Sequence, residues 1–242
     1  MLKQIIKKFL YKEKSSSDNY IEYLRRKGMN IGEDVTIYSP RNTIIDEQYP
    51  WLITIGSHVR ITEGVIILTH DYSWSVLKRF KMKNSEKGVI LGASGRVKIG
   101  NNIFIGMNSI ILRNVEIGDN VIIGVGSIVT KNCESGWVYA GNPAKKIMRV
   151  EEYYSKRKKE QLKEARILAL EYKNRYGKIP DKKIFHEYFM LFSNLKDNEK
   201  IFCKKAILCG NYDESLKYLT ENEPVFKNFE EFINYCFKKE NE

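Results

Sequence analysis

The chain has 242 residues, 43% of them apolar, and carries 41 Lys and Arg against 30 Asp and Glu for a formal charge of +11. That apolar share supports a packed core and excludes wholesale disorder, and the length accommodates one large domain with appendages. No apolar run approaches the roughly 18 residues that would cross a bilayer as a helix.

In chain order, the opening MLKQIIKKFLYKEK is basic but lacks an uninterrupted apolar stretch and a small-residue cleavage site, so it does not read as a secretory signal. The charge excess is concentrated there. Residues 1–30 hold 8 basic and 3 acidic groups, residues 31–150 hold 14 and 10, and residues 151–242 hold 19 and 17. Such a basic start can rest peripherally on an anionic membrane face, and no nucleic-acid-binding motif accompanies it. SSSDNYIEYLRRKG then predicts a short helix, capped by Ser or Asp and stopped by Gly28. Next comes a block that repeats loosely in sixes, IGEDVT, IYSPRN, IGSHVR, ITEGVI and ILTHDY, with an irregular stretch at Asn42–Leu52. A loop over 72–96, containing the basic KRFKMKNSEKG, interrupts it.

From Ile99 the sixes become strict: IGNNIF, IGMNSI, ILRNVE, IGDNVI, IGVGSI, VTKNCE. The first position is Ile99, Ile105, Ile111, Ile117, Ile123 and Val129, and the second is glycine at Gly100, Gly106, Gly118 and Gly124. A period of six fits neither an α-helix nor an ordinary strand. It fits a solenoid in which three short strands make one triangular coil of about 18 residues and the aliphatic first positions stack inside the prism. Buried strands of an α/β sheet would need helical crossovers, for which the spacing leaves no room. After AGNPA, a turn that ends the repeat, the pattern becomes helical. EEYYSKRKKEQLKEARILALEYKNRYG predicts a long helix ending at Gly177, followed by two or three shorter helices up to Phe237. The expected organisation is a helical segment over 1–30, a β solenoid over 31–150 and a helical extension over 151–242. Cys133, Cys203, Cys209 and Cys236 form no CxxC pair or dense framework, which points away from disulfides and a zinc cluster and toward the reducing cytoplasm.

Four segments carry a specific likeness: PWLITIGSHVRITEGVIILTHDY (50–72), VKIGNNIFIGMNSIIL (97–112), VIIGVGSIVTKN (121–132) and YAGNPAKKIMR (139–149). Over roughly residues 20–150 the chain resembles the hexapeptide-repeat acyltransferases, above all the galactoside, maltose and nodulation acetyltransferases and those of capsule and O-antigen synthesis. The resemblance implies a mainly β protein built on a left-handed parallel β-helix. The hand comes from the family alone, since parallel crossovers are normally right-handed. It also implies a homotrimer that transfers acetyl from acetyl-CoA to a carbohydrate hydroxyl, in surface-polysaccharide synthesis and without a metal. N-acetylation of an amino sugar nucleotide and a non-catalytic scaffold are the alternatives. A serine acetyltransferase is disfavoured because its helical N-terminal domain is missing. A carbonic anhydrase on this fold needs three converging histidines, whereas His58 and His70 fall on different faces and His186 lies outside the solenoid.

By the same resemblance, His70 in THD is the general base for an unactivated hydroxyl, a role suited to imidazole near neutrality. Asp46 or Asp71 would hold its other nitrogen, with Glu47 and Glu63 as weaker candidates. The donor's pantetheine arm would lie against small residues, Gly106, Gly124, Gly126 and Ser127, with Phe104, Met107 and Val125 standing where relatives carry tryptophan or small side chains. Thr130 and Lys131 would approach the nucleotide, and Lys131, Lys145 and Arg149 would meet its phosphates from one edge. GVGSIV lacks the third glycine of a dinucleotide fingerprint and opens no helix. His58 reads as a solvated corner residue, and His186 in KIFHEYF as a partly buried helix residue.

Overall fold

The computed structural model describes residues 11–80, 88–195, 200–208 and 210–238. Residues 1–10, which hold most of the basic N-terminal segment, the 81–87 part of the basic loop and Cys209 lie outside the described residues. The chain divides into two units, Met1–Tyr153 and Tyr154–Glu242.

Among the described residues of the first unit, a 3₁₀ turn (Lys12–Ser15) leads into helix α1 (Ser17–Arg26). The Ser16 hydroxyl accepts the Asn19 N–H as its N-cap, and Gly28, at φ +104°, turns the chain out of it. The apolar face of α1, Tyr20, Ile21 and Leu24, is buried in the solenoid core. Tyr23 donates to Glu47 at 2.6 Å, and that hydrogen bond pushes its pKa up to about 12.

Twelve strands of two or three residues then wind in coils. Sheet I contains β1 (Asn30–Ile31), β4 (Ile53–Ile55), β7 (Val97–Ile99) and β10 (Val115–Ile117). Sheet II contains β2 (Thr36–Ile37), β5 (Val59–Ile61), β8 (Ile103–Ile105) and β11 (Val121–Ile123). It continues into β13 (Trp137–Ala140) and β14 (Lys145–Arg149). Sheet III contains β3 (Ile44–Ile45), β6 (Ile66–Ile67), β9 (Ile110–Ile111) and β12 (Ile128–Val129). All pairings are parallel except β13 with β14, where the AGNPA turn reverses the chain and ends the winding. The fold is a left-handed parallel β-helix.

The six-residue period follows from packing. Ile31, Ile55, Ile99 and Ile117 form one interior column, Ile37, Ile61, Ile105 and Ile123 a second, and Ile45, Ile67, Ile111 and Val129 a third, all buried. Each such side chain contributes about 1.5–3 kcal/mol of transfer free energy. At the second position a side chain has no room: a Cβ on Gly106 would sit 2.5 Å from the Val125 nitrogen of the next coil. The corner from sheet I to sheet II uses left-handed backbone in every coil, at Asp34, His58, Asn102 and Asn120, and Asn102 donates to Asn120 at 2.7 Å.

Strict winding holds from β7 to β12, where partners such as Val97 and Val115 stand eighteen residues apart, and the last coil is two residues shorter, with Ile122 facing Val138. In the earlier coils the two largest insertions share one corner, from sheet III to sheet I. One is the stretch between β3 and β4, containing a 3₁₀ turn at Pro50–Leu52. The other is the loop between β6 and β7, which begins with a short helix α2 (Trp74–Leu77). Its stem starts earlier than the repeat suggests. Gly95 N–H bonds the Thr69 carbonyl at 2.8 Å and His70 bridges Ser94 in antiparallel fashion, so the excursion opens at residue 69, not 72.

Helix α3 (Val150–Tyr176) carries the chain into the second unit and ends at Gly177 with φ +66°. Beyond it come two 3₁₀ turns (Lys182–Phe185 and Phe189–Leu191) and helices α4 (Lys200–Leu208), α5 (Tyr212–Glu221) and α6 (Phe229–Phe237). This unit has its own aromatic core of Phe185, Phe189, Phe192, Phe202, Phe226 and Phe232 around Ala165 and Ala169. His186 is exposed, not partly buried, because a 3₁₀ turn places it beside Glu187 at the surface.

Candidate active site

The III–I corner builds a dyad. Asp46 follows β3 and is held by its own N–H to the Ile67 carbonyl at 3.0 Å, directly beside the end of β6. Its Oδ2 receives the Thr69 N–H at 3.0 Å and the Thr69 hydroxyl at 2.5 Å, while Oδ1 receives the Gln48 N–H at 3.0 Å. The His70 Nδ1 stands 2.5 Å from the same Oδ2. The Asp46 side chain is 5% exposed and that of His70 is 19% exposed. Burial alone would raise the Asp46 pKa, but the Thr69 hydroxyl, the Gln48 and Thr69 amides and the His70 ring together hold it below the ordinary carboxylate range. With the carboxylate ionised, the contact places the proton of a neutral His70 ring on Nδ1, and Nε2 is then the acceptor. That is the arrangement a general base requires.

Asp71 does not share in this dyad. Its carboxylate receives the Ser73 hydroxyl at 2.6 Å, the Ser73 N–H at 2.9 Å and Arg113 Nε at 2.7 Å, interactions that depress its pKa. Glu47 is engaged by Tyr20 and Tyr23, and Glu63 by Asn42 at 2.5 Å. His58 lies on the I–II corner against the Asp34 carboxylate, which Arg60 also engages, so it braces a turn. Among the described residues no group of three His, Cys, Asp or Glu could hold a metal ion. Thr69, as second donor to Asp46, was the residue sequence reasoning missed; its place directly before the histidine is the only signal.

The candidate donor residues occupy more than one corner. Gly106, Met107, Gly124, Val125 and Gly126 share the II–III corner in two successive coils, and Met107 and Val125 project outward with 45% and 72% exposure. Phe104 faces out from sheet II beside them. One assignment has a structural cause and one needs correction. Gly106 is buried, and the neighbouring coil by itself requires the absence of a side chain there. Ser127 points into the prism, donating to the Gly124 carbonyl at 2.6 Å and accepting from Gly141 N–H, and is fully buried. Nor do the three cations share an edge. Lys131, with Thr130, follows β12 at the III–I corner. Lys145 pairs with Ala140 at the II–III corner, and Arg149 pairs with Trp137 at the I–II corner, over whose ring its guanidinium lies. Within one chain only Lys145 joins the Met107–Val125 corner.

Residues 96–131 match the family described as bacterial transferase hexapeptide (six repeats). Protein CapG of Staphylococcus aureus is 44% identical over 135 residues, covering 55% of this chain and 73% of that protein. Among solved structures, the galactoside acetyltransferase in complex with coenzyme A is 27% identical over 63% of this chain and 81% of its own, with a TM-score of 0.42. The polySia-specific acetyltransferase NeuO is 27% identical over 49% of this chain, with a TM-score of 0.34, and the match spans about half of its length, 48%. The repeat match and the 44% identical relative, covered to 73% of its length, define the class of hexapeptide-repeat transferases. The chain belongs to this family, sharing it with the staphylococcal CapG protein.

Proposed function

We propose that the protein transfers the acetyl group of acetyl-CoA to a hydroxyl of a carbohydrate used in surface-polysaccharide synthesis. The observation that carries this reading is the His70 Nδ1 to Asp46 Oδ2 contact of 2.5 Å on an open corner. His70 Nε2 takes the proton of the attacking hydroxyl as its oxygen bonds to the thioester carbonyl carbon. Asp46 stabilises the imidazolium so formed, and collapse of the tetrahedral intermediate breaks the C–S bond and returns the proton to the CoA sulfur. Such general-base assistance is worth about 10²–10⁴ in rate. A donor of this kind makes the cytoplasm the place of work. No helix among the described residues is long and apolar enough to cross a membrane.

The working unit in this reading is a homotrimer. His70 and the Met107–Val125 corner stand at opposite ends of sheet III, so one chain does not bring base and donor ledge together. The outer face of sheet III between them is a ridge of Ile44, Ile66, Ile110 and Ile128, with Ile44 54% exposed, a surface suited to burial against a second copy. Light scattering should give a trimer, and an active monomer would refute this part.

The test of the activity is CoA thiol release from acetyl-CoA over a panel of hexoses, N-acetylhexosamines, uronic acids and their nucleotide forms. At least one acceptor should raise release above the sugar-free rate, and His70→Ala should remove that increment. If no acceptor does so, the reading is wrong.

A further inference from the structure

The histidine of the dyad is the middle member of an unbroken run of five rings. Trp51 meets Tyr49 edge-on at 5.7 Å, Tyr49 meets His70 at 5.7 Å, His70 meets Tyr72 at 5.4 Å, and Tyr72 meets Trp74 at 6.2 Å between centroids. The outer members are not core residues. Trp51 is 67% exposed and Tyr72 is 60% exposed, while Tyr49 and Trp74 are half-buried, although burying a large aromatic ring is normally favourable. The exposed Gln48 amide joins them, accepting from the Tyr72 hydroxyl at 3.5 Å.

None of the four flanking rings lies on a strand of the coils, although Tyr72 closes the sequence repeat ILTHDY. Tyr49 and Trp51 come from the insertion between β3 and β4, and Tyr72 and Trp74 from the insertion between β6 and β7. Both insertions leave the solenoid at the III–I corner, in adjacent coils, and each delivers two rings to one side of the base. Flat apolar rings with a hydroxyl or amide at the edge match a pyranose, which offers an apolar C–H face and a polar rim. The separation between successive rings is comparable to the size of one sugar unit.

We propose that these rings form a ledge for a glycan chain, with one sugar unit stacked on the Tyr49–Trp51 side of His70 and another on the Tyr72–Trp74 side. The acceptor is then an oligosaccharide or polymer modified at an internal unit, not a free monosaccharide or a sugar nucleotide. This inference rests on the acetyl-transfer reading above and specifies its substrate class.

The test compares kcat/KM for acetyl transfer to monomers, nucleoside diphosphate sugars and oligomers of one to six units of glucose, N-acetylglucosamine and galacturonic acid. The wild type should favour oligomers of three or more units over the monomer by about 10-fold or more, mostly through KM. Trp51→Ala and Trp74→Ala should each cut that preference by about 3- to 10-fold, the range expected for one stacking contact. Trp51→Phe should retain most of it, and unchanged melting temperatures would establish that the variants fold. A wild type that treats monomer and oligomer alike, or a preference that survives both alanine variants, overturns the ledge while leaving acetyl transfer intact. Failure of every acceptor overturns the acetyl-transfer reading, and the ledge with it.

Discussion

The coils over 97–134 and those over 30–71 are wound on the same three interior columns, yet they differ in kind. The later coils repeat every eighteen residues, with Val97, Ile103 and Ile110 facing Val115, Val121 and Ile128. The earlier coils keep the interior but break the period at the III–I corner, and the break carries Asp46, His70 and the rings around them. Strict repetition maximises stacking and leaves no surface freedom. Chemistry needs side chains that converge from different directions, and here they come from places where the repeat is relaxed. The regular half supplies rigidity and the irregular half supplies the candidate dyad.

The largest effect that would break this contrast lies at the dyad. His70→Ala should lower kcat by about 10²–10⁴-fold with the melting temperature little changed, because the residue sits on a corner outside the interior columns. Asp46→Asn should also lower kcat strongly, since an amide no longer enforces the tautomer that leaves Nε2 free. Near-parent turnover in both would remove the corner as the active site.

The regular half should answer with stability instead. Gly106→Ala places a Cβ 2.5 Å from the next coil's backbone nitrogen and should destabilise by about 2–4 kcal/mol, read by thermal or denaturant unfolding. Gly126→Ala meets nothing within 4 Å and bears only the strain of its φ of +67°, so about 1 kcal/mol is expected. Equal losses at the two glycines would mean that coil stacking is not what excludes a side chain from the second position.

The readability of the sequence followed the same division. The period of six, the aliphatic first positions and the glycines of the second position were legible because one packing problem is solved repeatedly, and each solution reinforces the others. The α1 cap at Ser16 and the stop at Gly177 were legible for the local reason that helix ends need particular residues. Asp46 and His70 could be named only through resemblance. Nothing in TIIDEQYPW announces that its carboxylate will meet a histidine 24 residues on, because that distance depends on the length of an irregular corner. The misplacement of Lys131, Lys145 and Arg149 on one edge has a related cause. Sequence shows where the β13–β14 turn falls, but the antiparallel return of β14 sends Arg149 to the other end of the strand from Lys145. Ser127 was misread because inward and outward small residues look alike in a string.

A smaller effect sharpens the donor side. Lys145→Ala should raise KM for acetyl-CoA about 3- to 10-fold with kcat nearly constant, as expected for an exposed charge-assisted contact remote from the thioester. Arg149→Ala, at a different corner, should change it less. The reverse order would place the nucleotide along the I–II corner.

The smallest expected effect concerns acid. The Asp46 carboxyl is held below its ordinary range, so it contributes stability above the unfolded-state pKa of about 4 and loses it as pH falls through the lower folded-state value. Asp46→Asn should therefore flatten the decline in unfolding free energy below about pH 4. An unchanged acid slope would mean that the Thr69 and Gln48 hydrogen bonds do not favour the ionised form.

The stem at Thr69 and Gly95 has one more consequence. It closes on itself through backbone bonds before the winding resumes at β7, so the strands on either side find their register whatever lies between. The excursion is in effect a cassette held by a fixed clasp, and the shorter stretch between β3 and β4 is anchored at its start, where the Asp46 N–H bonds the Ile67 carbonyl. Lengthening, trimming or exchanging either one alters what stands beside His70 without asking any interior isoleucine to move. Divergence in acceptor choice among chains with this clasp should therefore be found in the two cassettes, while the stacked coils stay alike.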